Sequence, residues 1–182
     1  MLISQALHTN TITASIARVV FGVLLIAAMA NIIIPAYPVP VSLQTVACML
    51  IGLLYRPREA LFTMLAYLTS GAAGLPFFIG GTYGIAKFVG PTAGYLVGFL
   101  LGTYTVSYVR TKYQINLAKI SNTFLLVVLG QVIIYTFGIL WLSQLIGFSK
   151  AIYSGCIVFI PSGIVKSFIL SVIFRLAYVQ RS

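Results

Sequence analysis

The stretch "GPTAGYLVGFLLG", residues 90–102, carries a glycine at every fourth position of an otherwise apolar run. An α-helix brings residues four apart onto one face, and glycines there let another backbone approach closely. The four glycines are Gly90, Gly94, Gly98 and Gly102. Such stripes of small residues are typical of helix contacts inside membranes. The stripe predicts tight packing within this chain, and docking of another subunit on the same face is the alternative.

The composition around this stretch is that of a membrane protein. Of the 182 residues, 60% are hydrophobic and only 7% are charged, whereas a soluble domain of this length has roughly 25% charged residues. The apolar runs predict an all-α integral membrane protein with one domain, residues 1–182. The net charge is +10, but the basic residues separate apolar segments and do not cluster with aromatic residues. They therefore do not indicate nucleic-acid binding.

Apolar runs of suitable length predict six transmembrane helices. They cover residues 15–34, 42–55, 60–73, 91–109, 123–146 and 152–178. The second and third are short for a full span. The proline-rich stretch 35–40 predicts an extended turn, and the glycine-rich stretch 74–84 predicts a re-entrant or ordered outer loop between helices 3 and 4.

The basic residues predict the orientation of these helices. With the N-terminus inside, only Lys87 and Lys150 fall on the outer side, which follows the positive-inside rule. The residues on or near the cytoplasmic side are Arg18, Arg56, Arg58, Arg110, Lys112, Lys119, Arg175 and Arg181. Both termini are therefore expected to be cytoplasmic.

Glu59 is the only acidic side chain of the sequence. It lies at the predicted cytoplasmic end of helix 3, where we expect it to pair with a nearby arginine. Proton- or sodium-coupled transporters usually keep carboxylates within their spans. Because this chain has none there, ion coupling is not expected.

The sequence also lacks the usual signatures of enzymes. We find no phosphate-binding GxxxxGK[ST], no GxSxG and no HExxH, and the single histidine is His8, in a polar N-terminal stretch. Cys48 and Cys156 lie far apart, each in an apolar run, and have no metal-binding or redox spacing. We therefore expect a protein that is not an enzyme and needs no metal or cofactor.

The last predicted helix contains a lysine in apolar surroundings, in "PSGIVK", residues 161–166. A charge in the hydrocarbon region is costly unless it is paired or reaches water, so Lys166 predicts a binding site. Snorkelling of its side chain towards the cytoplasmic end is the alternative. Pro161 removes a backbone donor and frees a carbonyl, either beside a polar cavity or at a simple kink. Other polar residues that could share a cavity with Lys166 are Gln44, Thr45, Lys87, Tyr95 and Gln131.

Four motifs in order resemble the BioY family, the biotin-binding S components of energy-coupling factor (ECF) transporters. They are "PVPVSLQT" (38–45), "GLPFF" (74–78), "GPTAGYLVGF" (90–99) and "PSGIVK" (161–166). The resemblance implies a six-helix fold in the cytoplasmic membrane, with one biotin near the outer face under the loops. It also implies a partner module of one transmembrane subunit and two ATPases, whose hydrolysis drives uptake.

The polar residues and the resemblance together give the candidate sites. The candidate ligand-binding residues are Gln44, Gly80, Gly81, Lys87, Tyr95, Ser162, Gly163 and Lys166, and the candidates for docking the transmembrane partner are Ala27, Ala28 and Ala30. One departure stands out, since the usual pattern resembles Pro-Gly-Asp-x-x-Lys and here Gly163 stands where the acid is expected. Without that acid, the ureido N–H groups of biotin would need Ser162, a backbone carbonyl, Gln44 or a water.

Three other functions stay open from the sequence. The chain could be a facilitator that works without ATPases, an S component for a different small metabolite, or a purely structural membrane protein.

Overall fold

The computed structural model describes residues 11–34 and 41–179. His8 and the proline-rich turn predicted at residues 35–40 lie outside the described residues. The described part is mainly helical, with α1 Ile12–Ala30, α2 Gln44–Leu54, α3 Pro57–Ala72, α4 Ala93–Lys112, α5 Ile120–Ile146 and α6 Phe148–Val179. Each helix overlaps one predicted span. An antiparallel pair, β1 Ile33–Ile34 and β2 Val41–Ser42, connects α1 to α2.

Three described segments are long and apolar enough to cross a bilayer. They are Ile12–Ala30, Ile120–Ile146 and Ile160–Tyr178, with mean hydropathies of 2.2, 2.3 and 1.6. At about 1.5 Å per residue, the 11 residues of α2 cover only about half of a hydrocarbon core that is about 30 Å thick. The start of α2 lies within the bundle, since Gln44 is 3% exposed and Thr45 is 7% exposed.

The glycine stripe of α4 packs on α5, inside the chain. A Cβ atom on Gly98 would lie 2.8 Å from the Cα of Ile134, and one on Gly102 would lie 2.8 Å from the carbonyl oxygen of Gly130. Side chains do not fit at these distances, so only glycine permits this approach of two backbones. The prediction of packing within the chain is confirmed for Gly94, Gly98 and Gly102, whereas Gly90 precedes α4 and a Cβ atom there would meet only its own loop. The alternative, a docking seam for another subunit, is wrong because α5 covers this face.

The glycine-rich stretch between α3 and α4 is an ordered loop that packs back onto α3. Its Phe78 is 2% exposed, and the amide of Gly84 donates a hydrogen bond to the carbonyl of Gly71 at 2.8 Å. Two short 3₁₀ turns, Ile79–Gly81 and Ile85–Phe88, complete the loop. Gly80 and Gly81 adopt φ values of +70° and +69°, a conformation that favours glycine.

A buried ion pair holds the beginning of α3 against α1. Arg18 donates to Glu59 Oε1 through Nε at 3.1 Å and through Nη2 at 2.6 Å. Ser15 Oγ donates to the same oxygen at 2.8 Å, and Tyr55 donates its hydroxyl to the Arg18 carbonyl at 2.7 Å. The expected pairing of Glu59 with an arginine is confirmed, and the partner comes from another helix.

Candidate functional site

A cavity opens between the start of α2, the loop after α3, and the facing walls of α4 and α5. The space in and around it is about 540 Å³ when the open mouth is counted, and the cavity itself has a volume of about 40 Å³. Its apolar wall is formed by Phe78, Leu96, Phe99 and Ile134, and its polar lining includes Ser42, Gln44, Thr45, Lys87, Tyr95 and Tyr135. Mostly apolar walls with a few polar groups are typical of sites for small organic ligands.

Gln44 presents a buried carboxamide to this cavity. It is the first residue of α2 and is 3% exposed. Its backbone amide donates to Ser42 Oγ at 3.2 Å, which orients the first turn of the helix. Within the described part of the chain its Nε2 has no hydrogen-bond partner. Because a buried donor left unpaired costs about 1–3 kcal/mol, this nitrogen is suited to bind a carbonyl or carboxylate oxygen of a ligand.

Lys166 reaches the edge of the same cavity from α6. It is 8% exposed, and its Nζ donates to the Ser42 carbonyl at 2.8 Å. Snorkelling is therefore the wrong interpretation, because the amine is buried at the start of α2. Its partner here is a backbone carbonyl. An ammonium has three donors, so this single bond leaves capacity for a ligand, and the only acid of the sequence is bonded to Arg18.

Before Lys166, Pro161 lies at an exposed position of α6, whereas Gly163 is buried against α5. Pro161 is exposed and lies inside α6, which continues through it. Gly163 is buried and faces α5, where a Cβ atom would lie 2.6 Å from Gln131 Oε1 and 2.9 Å from the Tyr135 hydroxyl. Ser162 is half-buried. The space expected for an acidic side chain at residue 163 is thus taken up by polar side chains of α5.

The structure brings together only part of the predicted ligand-binding set. Gln44, Lys87 and Tyr95 line the cavity, and Lys166 bonds to its rim. Gly80 and Gly81 pack instead towards Ile33 and Asn31, in the segment that follows α1. Neither they nor Ser162 and Gly163 are among the residues that line the cavity.

Tyr135 is a lining residue that the sequence did not single out. It lies four residues after Gln131 on α5, so both side chains project from the same helix face. Gln131 was among the polar candidates, and this spacing was the available signal. It could not show which helix the face would meet.

The three alanines predicted to dock a partner lie on different sides of α1. Ala27 is 7% exposed and Ala30 is fully buried, both within the core of this chain. Ala27 and Ala30 have no free surface to offer to a partner, because they face the interior of this chain. Only Ala28 is exposed, so the docking prediction is now restricted to Ala28 and its neighbours on the outer face.

Comparison with known proteins identifies the chain. The model of the BioY family matches residues 4–181. The chain belongs to the BioY family. A relative described as a probable biotin transporter BioY, from Rickettsia prowazekii, is 39% identical over 170 residues, 93% of this chain and 86% of the relative. The biotin transporter BioY2 of Lactococcus lactis is 35% identical over 94% of this chain and 93% of its own length.

A solved structure agrees with this assignment. The S-component for biotin from an ECF-type ABC transporter superposes with a TM-score of 0.81 and 25% identity, covering 96% of this chain and 94% of that one. The chain therefore has the fold of an S component. With its apolar helices and its transporter relatives it is a multi-pass membrane protein.

Proposed function

We propose that this chain captures biotin for ATP-driven uptake, as the substrate-binding subunit of an ECF transporter in the cytoplasmic membrane. The observation that carries the proposal is the cavity beside α2, where Gln44 Nε2 has no hydrogen-bond partner among the described residues and the Lys166 ammonium is held at the rim by the Ser42 carbonyl. The BioY relatives and the S-component fold support biotin as the ligand.

The chemistry of the cavity suits the parts of biotin. The bicyclic ring and the aliphatic chain of biotin would contact the apolar wall around Phe99 and Ile134. The ureido carbonyl would accept hydrogen bonds from Gln44 Nε2 and the Lys166 ammonium at the start of α2. Lys87, on the loop side, would pair with the carboxylate, since a cation facing an apolar cavity binds an anion more strongly than it would in water.

The remaining parts of the proposal concern topology and partners. The single domain 1–182 would cross the bilayer with six helices and keep both termini in the cytoplasm, as the basic residues predict. A transmembrane subunit and two ATPases would supply the energy, because the sequence holds no phosphate-binding loop of its own. The outer face of α1 around Ala28 is our candidate for contact with the transmembrane subunit.

The test of the ligand is biotin binding to the purified chain in nanodiscs, measured by calorimetry. We expect one biotin per chain, and a loss of roughly 10- to 100-fold in affinity in Lys166→Met and Lys166→Ala, the range for a hydrogen bond to a charged group. Unchanged affinity in both variants would remove Lys166 from the site. Binding of another vitamin in place of biotin would show that the ligand is different.

The test of energy coupling is uptake of labelled biotin into cells that lack their own transporter. We expect uptake only when this chain is co-expressed with an ECF transmembrane subunit and its ATPases. An ATPase variant without hydrolysis is the matched control and should abolish uptake. Uptake by this chain alone, at the same rate, would show a facilitator and contradict ATP-driven transport.

A further inference from the structure

Gly163 and Gln131 form a close contact between α5 and α6. The missing side chain of Gly163 leaves room for the Gln131 carboxamide, whose Oε1 lies 2.6 Å from the position that a Cβ atom would occupy. Any larger residue at position 163 would push the carboxamide away. The Gln131 side chain of α5 therefore occupies the space that a side chain at position 163 of α6 would need.

The Gln131 carboxamide is only partly used by the protein. Its Oε1 accepts a hydrogen bond from Ser167 Oγ at 3.3 Å, and Ser167 also donates to the Gly163 carbonyl at 2.9 Å. Its Nε2 has no partner within residues 11–34 and 41–179, although the side chain is 5% exposed. Buried polar groups are normally hydrogen-bonded, so an unused donor at this depth calls for an explanation.

Tyr135 links this carboxamide to the cavity. Its ring lines the cavity, and its hydroxyl lies 2.9 Å from the same Cβ position on Gly163 that Gln131 Oε1 approaches. Both oxygens therefore lie within 3 Å of one point beside Gly163, while Tyr135 lines the cavity and Gln131 is not among its lining residues. Rotation of the Tyr135 side chain would make the Gln131 carboxamide accessible to a ligand in the cavity.

We propose that Gln131 is a specificity-determining residue that recognises the ureido group of the ligand. A carboxamide offers one donor and one acceptor side by side, which complements the N–H and C=O of a cyclic urea. Its Nε2 donates to the ureido oxygen, and the second lone pair of Oε1 accepts from a ureido N–H. This inference rests on the proposed function, and it assigns a neutral amide to the place where an acid is expected at Gly163.

The choice of a neutral group has a consequence for selectivity. A site with a paired donor and acceptor rejects an analogue that replaces the carbonyl by a donor, because the buried Nε2 then loses its partner. The analogue 2-iminobiotin is such a probe, since its guanidinium group carries only donors. We expect the wild-type protein to prefer biotin over 2-iminobiotin.

The experiment measures the affinities of biotin and 2-iminobiotin for wild type and Gln131→Glu. The glutamate offers only acceptors when it is ionised, so the ratio of the two affinities should shift towards 2-iminobiotin by roughly tenfold or more. Gln144→Glu is the matched control, because Gln144 is exposed on the same helix and the charge change is identical. We expect no change of the ratio in the control. A purely structural role of Gln131 would lower both affinities alike.

Two further variants avoid the charge. Gln131→Met keeps the size of the side chain and should lose roughly tenfold in biotin affinity without a lower melting temperature. Gly163→Ala should also reduce biotin affinity, although it removes no polar group, because its methyl group would displace both the Gln131 carboxamide and the Tyr135 hydroxyl. The inference would be overturned by an unchanged ratio of the biotin and 2-iminobiotin affinities in Gln131→Glu, or by an unchanged biotin affinity in Gln131→Met. If the wild-type protein still binds biotin, the proposed function stands in either case. Wild-type protein that binds no biotin would overturn both.

Discussion

Two buried polar clusters of this protein differ in how completely they are satisfied. In the first, the sole carboxylate is bonded by Arg18 and Ser15, and the Tyr55 hydroxyl closes on the Arg18 carbonyl. We call this the Arg18–Glu59 cluster. In the second, beside the cavity, Lys166 has one carbonyl partner. The Nε2 atoms of Gln44 and Gln131 have no partner among the described residues. We call the second the cavity cluster.

The difference separates a structural role from a binding role. A buried network whose members satisfy one another stabilises the fold and has nothing left to offer a ligand. A network with unused donors costs free energy until something binds, so it is retained where binding is needed. Both clusters are polar and buried, and they differ in how many of their charges and donors have partners among the described residues.

The largest expected effect is on the Arg18–Glu59 cluster. Glu59→Ala leaves the Arg18 guanidinium buried without its counterion, which should lower the free energy of unfolding by about 3 kcal/mol. Unfolding in mixed detergent micelles measures this loss. The biotin affinity of the folded fraction should not change.

The control for this prediction replaces both partners. Arg18→Met/Glu59→Leu leaves no unpaired charge and should recover most of the lost stability. If Glu59→Ala instead weakened biotin binding and left stability intact, the Arg18–Glu59 cluster would belong to function and the comparison would fail.

An intermediate effect is expected in the cavity cluster. Gln44→Leu removes an unpaired buried amide and keeps a similar volume, so the ligand-free protein should be as stable as the wild type or more so. Biotin affinity should fall roughly tenfold, the value of about one hydrogen bond. Calorimetry measures the affinity, and Gln144→Leu, at an exposed position, is the matched control. A large loss of stability with unchanged affinity would show that Gln44 serves packing.

The smallest effect is expected for the stability of ligand-free Lys166→Met. The variant loses the bond to the Ser42 carbonyl but also removes a buried charge that no acid neutralises, and these contributions oppose each other. We expect the free energy of unfolding to change by less than about 1 kcal/mol. Lys150→Met, at an exposed position of the same helix, is the control. A loss as large as that of Glu59→Ala would place Lys166 with the structural residues.

The fold was largely predictable because its signals are periodic and local. The spacing of four residues between Gly94, Gly98 and Gly102 predicted close packing, and the structure shows α5 on that face. The pairing of Glu59 with an arginine was also predicted. The identity of this arginine could not be predicted, because Arg56 and Arg58 have the same charge and lie closer in the sequence than Arg18, which is 41 residues away.

The candidate site was predictable only in part. Gln44, Lys87 and Tyr95 were expected at a ligand site, and the structure brings all three to one cavity. Gly80 and Gly81 were expected there too, but they adopt positive φ angles and lie against Ile33 and Asn31. Loop direction depends on such single dihedral angles, which a residue pattern does not reveal.

The sequence by itself determined the membrane environment, the helical segments and the BioY family. Hydrophobicity, glycine spacing and motif order are properties of the chain that need no knowledge of its contacts. Only the tertiary structure decided which buried polar groups are satisfied. Hydrogen bonds act over about 3 Å, and the pairs that matter, such as Lys166 with Ser42, join residues 124 positions apart. The packing of α6 on α5 therefore decides that Gly163 makes room for Gln131.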